Sequence, residues 1–106
     1  MSVINIGLNE TVINSIIKTL QKNDIISKAV IFGSRAKGNY RRYSDIDVAL
    51  WGDDLDYFDA GKIASQLDDL PMAYKFDITV YDTIKNQDLK NHIDRVGITI
   101  YEKQKL

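Results

Sequence analysis

Three aspartates in two parts of this chain are placed so that they could act together on a charged substrate. Asp45 and Asp47 stand one residue apart in an otherwise apolar run, and Asp77 has the same setting in a later run. Strand residues i and i+2 point to the same side, so the first two carboxylates would share a face. Crowded carboxylates repel one another unless a proton or a cation compensates them. Oxygen ligands without His or Cys suit Mg²⁺ or Mn²⁺, so the pattern predicts a divalent-metal site.

A Gly-Ser pair lies ten residues before Asp45. Gly33 has no side chain, so the backbone can approach a ligand closely there, and Ser34 offers a hydroxyl and starts a turn whose amides can meet phosphate oxygens. The loop that follows adds four cations that could neutralise a triphosphate: Arg35, Lys37, Arg41 and Arg42. Together these features are typical of two-metal phosphoryl transfer.

Apolar periodicity predicts the order α-β-β-α-β-α-β. We expect helices over about 10–23, 58–70 and 84–96, and strands over 28–32, 45–51, 76–81 and 98–101. In the second strand one face is apolar and the other carries the aspartates, which makes it functional or solvated. The second helix is predicted from the spacing of five apolar residues: Phe58, Ile63, Ala64, Leu67 and Leu70.

Connection rules bring these motifs to one end of the sheet. A strand, a crossover helix and another strand normally form a right-handed parallel unit, which places Asp77 beside Asp45 and Asp47. The short link between the first two strands favours an antiparallel pair, which returns Gly33-Ser34 to the same end.

Composition narrows the class of protein. The chain has 106 residues, a hydrophobic fraction of 44% and a net charge of -1, which favours a packed domain and gives no global attraction to nucleic acid. It has no cysteine, which excludes disulfides and thiolate zinc sites. Since His92 is the only histidine, it is expected at the surface or the edge of the core rather than in a catalytic triad. The sequence shows neither a signal peptide nor a membrane span, so we expect a cytoplasmic protein.

Taken together, these residues resemble the signature of the polymerase-β-type nucleotidyltransferase superfamily. Four stretches are similar to its minimal nucleotidyltransferase (MNT) branch: GSRAKG, YSDIDVAL, KFDITVYD and HIDRVGITIYEK. The resemblance implies a single α/β (α+β) domain over residues 1–106 with a four-stranded mixed sheet. It also implies that Asp45 and Asp47 hold magnesium, that Asp77 completes the metal site and helps to activate the acceptor hydroxyl, and that Gly33 and Ser34 bind the triphosphate.

The same resemblance implies a partner and a reaction. MNT proteins are commonly encoded with a small helical HEPN protein, a ribonuclease toxin that the MNT antitoxin neutralises by moving AMP from ATP onto a tyrosine. We therefore expect a metal-dependent protein adenylyltransferase with ATP as substrate, in a hetero-oligomer with a HEPN-type toxin; a homodimer is the alternative assembly. Because the sequence ends soon after the last predicted strand, the partner is expected to supply the acceptor site.

Two other interpretations remain open at this stage. The acidic, aromatic segment from Trp51 to Phe58 suits a binding antitoxin that neutralises its partner by contact alone. A small-molecule adenylyltransferase of the antibiotic-modifying type would use the same aspartates. The lack of a second domain in the sequence counts against it.

Overall fold

The computed structural model describes residues 6–104. In chain order the elements are α1 (Glu10–Gln21), β1 (Lys28–Phe32), α2 (Gly33–Lys37), β2 (Ile46–Trp51), α3 (Tyr57–Asp68), β3 (Phe76–Val80), a 3₁₀ turn (Tyr81–Thr83), α4 (Gln87–Val96) and β4 (Ile98–Glu102). The predicted order is confirmed. The short helix α2 lies where the sequence predicts a turn that starts at Ser34.

The four strands form one mixed sheet in the order β3-β2-β1-β4. Strands β2 and β3 are parallel, and β1 is antiparallel to both β2 and β4. Both connection arguments are therefore confirmed, because they required a parallel β2–β3 pair and an antiparallel β1–β2 pair. The connection rules do not predict the place of β4 beside β1.

The main core lies on the face of the sheet that α1 and α3 cover. It includes Ile16 and Leu20 from α1, Val48 from β2, and Ile63 and Leu67 from α3, all buried. Alternate strand residues point to opposite faces, so the apolar face predicted for β2 is the one that enters this core.

A second, smaller core lies on the opposite face, beneath α4. Val30, Phe32 and Ala49 pack there with Ile93 of α4. The prediction that this face of β2 is functional or solvated holds for its first part only, because Ala49 is fully buried. Periodicity marks a residue as facing away from the main core, but it does not show that a later helix covers that face.

Seven predicted element boundaries differ from the structure by one to three residues, and two of these bear on the site. Strand β2 begins at Ile46, so Asp45 stands just before it. The last helix begins at Gln87 rather than at residue 84, because the Asn86 side chain accepts hydrogen bonds from the Asp88 and Leu89 amides and caps it there.

The N-terminus of α3 also differs from the apolar pattern. Asp56 and Asp59 form a capping box in which each side chain accepts a hydrogen bond from the other's backbone amide. The helix therefore starts at Tyr57, and Phe58 is 82% exposed, although the pattern counted it with the inward residues. Leu55, before the cap, is buried instead.

No helix within residues 6–104 is long and apolar enough to cross a membrane.

The end of α4 packs so closely on β1 that it requires glycine, and a substitution tests this. A Cβ on Gly97 would collide with the Ile93 carbonyl oxygen and with Val30 Cγ1, whereas a Cβ on Gly61 of α3 meets nothing within 4 Å. We expect Gly97→Ala to lower the free energy of unfolding by about 1–3 kcal/mol. The matched control Gly61→Ala should raise it by about 0.5–1 kcal/mol, because glycine is a poor helix former. Urea unfolding measures both, and equal effects would contradict the close packing of α4.

Candidate active site

The parallel pairing of β2 and β3 brings two of the aspartates side by side. Asp47 and Asp77 are partners in the register of the two strands, and neighbouring strands lie about 4.8 Å apart. Asp45 precedes β2 by one residue, and the Ile46 amide donates to the Lys75 carbonyl oxygen (2.8 Å), which extends the pairing towards it. Asp47 is half-buried, while Asp45 and Asp77 are exposed. The cluster is thus open to solvent at the sheet edge.

The Gly-Ser pair lies directly against this cluster. Gly33 has a positive φ of 74°, and a Cβ placed on it would collide with Asp47 Oδ2 and lie 3.1 Å from Asp47 Cγ. Only glycine combines this left-handed backbone with such a close approach. The turn from β1 into α2 therefore places Ser34 directly after the glycine that contacts the Asp47 carboxylate.

The electrostatics show that the negative charges of Asp77 and Asp45 act on Asp47. The pKa of Asp47 is raised above its ordinary value of 3.8, first by burial of the carboxylate and then by the negative charges of Asp77 and Asp45. Burial and like charges both penalise the ionised form. A cation or a cationic ligand at this position would relieve that penalty.

Arg35 does not take the place predicted for it. Its side chain is 1% exposed, and its guanidinium donates to the carbonyl oxygens of Ile6 (2.9 Å) and Ser44 (2.9 and 3.2 Å). The rings of Tyr40 and Tyr74 lie 5.4 and 5.2 Å from it. A guanidinium held by carbonyl oxygens and aromatic faces inside the fold does not reach a triphosphate, so the prediction of nucleotide binding is wrong for this residue.

The burial of Arg35 gives it a structural role in the site. By bonding to the Ser44 carbonyl oxygen from α2, it ties the loop after α2 back onto that helix, directly before Asp45. This one buried cation therefore fixes the end of the loop from which Asp45 follows. In sequence, this arginine looks no different from the exposed cations of the same loop.

His92 is a site residue that sequence reasoning missed. The Gly33 amide donates a hydrogen bond to His92 Nε2 (3.1 Å), and the imidazole packs edge-on against the Phe32 ring at 6.1 Å. It was expected at the surface or the core edge, and its position is indeed half-buried. Its partner is 59 residues away in sequence, so no local pattern reveals the contact.

Comparisons with known proteins identify the family of this chain. Residues 14–106 match the family model described as polymerase beta, nucleotidyltransferase. The chain belongs to this nucleotidyltransferase family. The α/β fold with a four-stranded mixed sheet, predicted from sequence, is thereby confirmed.

Individual relatives of this nucleotidyltransferase include a curated protein and two solved structures. The chain is 28% identical over 93 residues to the probable protein adenylyltransferase MntA of Haemophilus influenzae, covering 86% of this chain and 81% of the relative. A toxin–antitoxin crystal structure with AMP-PNP is 26% identical with a TM-score of 0.72, covering 87% of this chain and 74% of the other. A mutant MntA–HepT toxin–antitoxin complex is 27% identical with a TM-score of 0.71, covering 92% and 75%.

The aspartates of this nucleotidyltransferase fit magnesium in a particular way. Among residues 6–104, no three His, Cys, Asp or Glu side chains surround a point where they could hold an ion by themselves. Magnesium, however, is usually bound by one or two carboxylates together with substrate phosphates rather than by an all-protein cage. The all-oxygen donor set and the charge penalty on Asp47 fit a site that substrate completes.

The other predicted cations of the nucleotidyltransferase lie on the exposed loop between α2 and β2. Arg41 and Arg42 are both exposed, as is Lys37 at the end of α2. Ser44 Oγ accepts from the Arg41 amide (2.7 Å) and closes a turn there, and the Arg42 guanidinium lies 5.5 Å from the Tyr43 ring. Their contact with nucleotide remains a prediction.

Single arginine substitutions distinguish the stability contribution of the buried cation from that of the exposed ones. Arg35→Met should lower the free energy of unfolding by about 2–4 kcal/mol, because buried carbonyl oxygens lose charged donors. The control Arg41→Met should change it by less than about 0.5 kcal/mol, since that side chain is exposed. Urea unfolding measures both. A folded Arg35→Met variant of unchanged stability would contradict the structural role.

The raised pKa of Asp47 predicts how stability depends on pH. Below about pH 3.8 the group is protonated in both the folded and unfolded states and contributes nothing. As the pH rises through the folded-state pKa, ionisation costs more in the fold than in the unfolded chain, so stability is lost. Asp47→Asn should therefore raise the melting temperature near pH 7, with the gain vanishing towards about pH 3.5.

The control for this experiment is Asp53→Asn, which changes an exposed carboxylate beyond the far end of β2. It should alter stability by less than about 0.5 kcal/mol at any pH. Millimolar magnesium should stabilise the wild type at neutral pH more than the Asp47→Asn variant. A destabilised Asp47→Asn variant at neutral pH would show that the carboxylate is not under electrostatic stress.

Proposed function

We propose that this nucleotidyltransferase transfers AMP from ATP to a tyrosine of a HEPN-type toxin and so acts as its antitoxin. The observation that carries the proposal is the contact of Gly33 with Asp47. Asp47 pairs with Asp77 in the register of β2 and β3, and the chain is similar to a probable protein adenylyltransferase. A phosphate-binding turn beside paired carboxylates is the arrangement that nucleotidyl transfer requires.

Each part of the cluster has a role in this reaction. Asp45 and Asp47 would hold magnesium. When bound, the ion would neutralise negative charge on the triphosphate and stabilise the negative charge that develops during in-line displacement. Gly33 and Ser34 would bind the triphosphate, with Arg41 and Arg42 as further phosphate contacts from the loop.

The group transfer uses Asp77 on the acceptor side. The tyrosine oxygen attacks the α-phosphorus of ATP, the bond from that phosphorus to the bridging oxygen breaks, and pyrophosphate leaves. Asp77 takes the phenolic proton, directly or through water. Its exposed position on β3, at the edge of the sheet, suits contact with an acceptor outside the fold.

A macromolecular acceptor is favoured by the openness of this edge. A tyrosine on a folded partner can reach an exposed carboxylate on an edge strand, whereas it could not enter an enclosed cavity. The solved relatives are toxin–antitoxin structures, which supports a HEPN-type toxin as that partner and a hetero-oligomer as the assembly. Since the chain has no cysteine, its fold needs no disulfide, and we place the reaction in the cytoplasm.

A binding antitoxin is the second candidate, and one surface favours it. Tyr57 and Phe58 are 85% and 82% exposed at the start of α3, beside the acidic loop. Large exposed aromatic side chains together often mark a contact surface. Such a surface could hold a toxin in an inactive state with or without catalysis, so the test below separates the two functions.

The experiment mixes the purified protein with ATP, magnesium and the HEPN-type product of the neighbouring reading frame. Intact mass spectrometry should show whole AMP additions on that partner. Asp47→Asn and Asp77→Asn should each slow the addition by about 100-fold or more, because Asp47 would hold the metal that stabilises developing charge and Asp77 would take the phenolic proton. The control Glu102→Gln, an exposed carboxylate at the end of β4 opposite Lys28, should leave the rate unchanged.

Different outcomes identify the alternatives. If Asp47→Asn neutralises the toxin as well as the wild type and no AMP is transferred by either, the protein is a binding antitoxin. Turnover of an aminoglycoside by the chain alone, with none on the toxin, would indicate a small-molecule adenylyltransferase.

A further inference from the structure

Helix α4 is fixed on the sheet at several points around His92. Ile93, the next residue, is 2% exposed in the small core with Val30 and Phe32. One turn further along, Gly97 allows the helix end to approach β1. These contacts place the imidazole through tertiary packing rather than through the flexibility of its own side chain.

The imidazole contacts the Gly-Ser turn through one specific nitrogen, Nε2. Because His92 Nε2 accepts the Gly33 hydrogen bond, that nitrogen carries no hydrogen, and in the neutral ring Nδ1 carries it. The ring also packs edge-on against Phe32, the residue before this glycine. His92 therefore contacts both residues that flank the peptide bond between Phe32 and Gly33.

That peptide bond controls the direction of the turn that follows. Gly33 has a left-handed φ of 74°, and its amide is the first of α2. Glycine has wide backbone freedom, so an amide held from outside removes freedom that the residue itself does not restrict. A hydrogen bond to this amide limits rotation of the peptide plane and with it the position of Ser34.

We propose that His92 is a positioning residue for triphosphate binding: it holds the Gly33 amide and so orients Ser34 toward the phosphates. This inference rests on the proposed function and deepens it. Since the Gly33 amide is engaged by the imidazole, hydrogen-bond donation to phosphate falls to the Ser34 amide and hydroxyl. Gly33 contributes through its backbone conformation and its lack of a side chain.

Three variants separate the acceptor atom from the shape of the side chain. His92→Phe keeps a ring against Phe32 but removes the acceptor. His92→Gln places an amide oxygen near the position of Nε2 and keeps it. His92→Met has the length and shape of the glutamine side chain without a strong acceptor, so the Gln and Met pair is matched in size.

The kinetic test uses the protein with its HEPN-type partner, ATP and magnesium. His92→Phe should raise the KM for ATP by about threefold to tenfold, the worth of one hydrogen bond, with kcat within about twofold of the wild type. His92→Gln should stay within about twofold in both constants. If His92→Phe does not fold, His92→Met against His92→Gln carries the same comparison. A KM that is unchanged on loss of the acceptor overturns the inference.

A second readout tests the hydrogen bond without any activity. In the ¹⁵N-labelled protein, a through-hydrogen-bond coupling should join the Gly33 amide nitrogen to His92 Nε2, and the imidazole shifts should show hydrogen on Nδ1. Absence of the coupling overturns the inference. If the wild type shows the coupling but neither binds ATP nor transfers AMP, the proposed function fails and the positioning role falls with it. A working wild type with an equally active His92→Phe defeats the positioning role alone.

Discussion

The contact between Gly33 and Asp47 joins the two halves of the site, and most of the surrounding structure serves to maintain it. A single methyl group on the glycine would collide with the carboxylate, and the backbone there is left-handed as well. The antiparallel pairing of β1 with β2 places Phe32 opposite Asp47, so the glycine that follows meets the aspartate directly. This close approach puts the Gly-Ser turn next to a carboxylate whose ionisation burial already penalises.

Two tertiary contacts hold the turn from opposite sides. Arg35 anchors α2 to the loop that leads back to Asp45, through the carbonyl oxygen of Ser44. His92 reaches the Gly33 amide from α4, which the small core beneath it fixes on the sheet. The Arg35 contact fixes the loop that leads back to the aspartates. The His92 contact fixes the orientation of the Gly33 amide. A site formed by loop ends thereby gains the rigidity of the secondary structure around it.

The electrostatic stress of the cluster is consistent with a site that substrate completes. Burial and the charges of Asp77 and Asp45 raise the free energy of ionised Asp47, and the part of the chain that the structure describes supplies no closed set of ligands to offset this. Function at such sites commonly costs stability, because the charges that bind the substrate repel one another in its absence. Asp45 and Asp77, on and near the edge strand, are exposed, so the cluster is accessible from outside the fold.

Much of this molecule was determined by short-range patterns in the sequence. The β-branched run before Gly33 and the alternation around Asp47 and Asp77 predicted the strands, and the connection lengths predicted their pairing, because these depend on local periodicity and chain geometry. The choice of Arg35 for the interior and Arg41 for the surface was not predictable, since both are cations in one loop and only folding decides which of them meets buried carbonyl oxygens. The role of His92 was likewise decided by tertiary structure, because the amide it holds lies 59 residues earlier in the chain and becomes its neighbour only when α4 packs on β1.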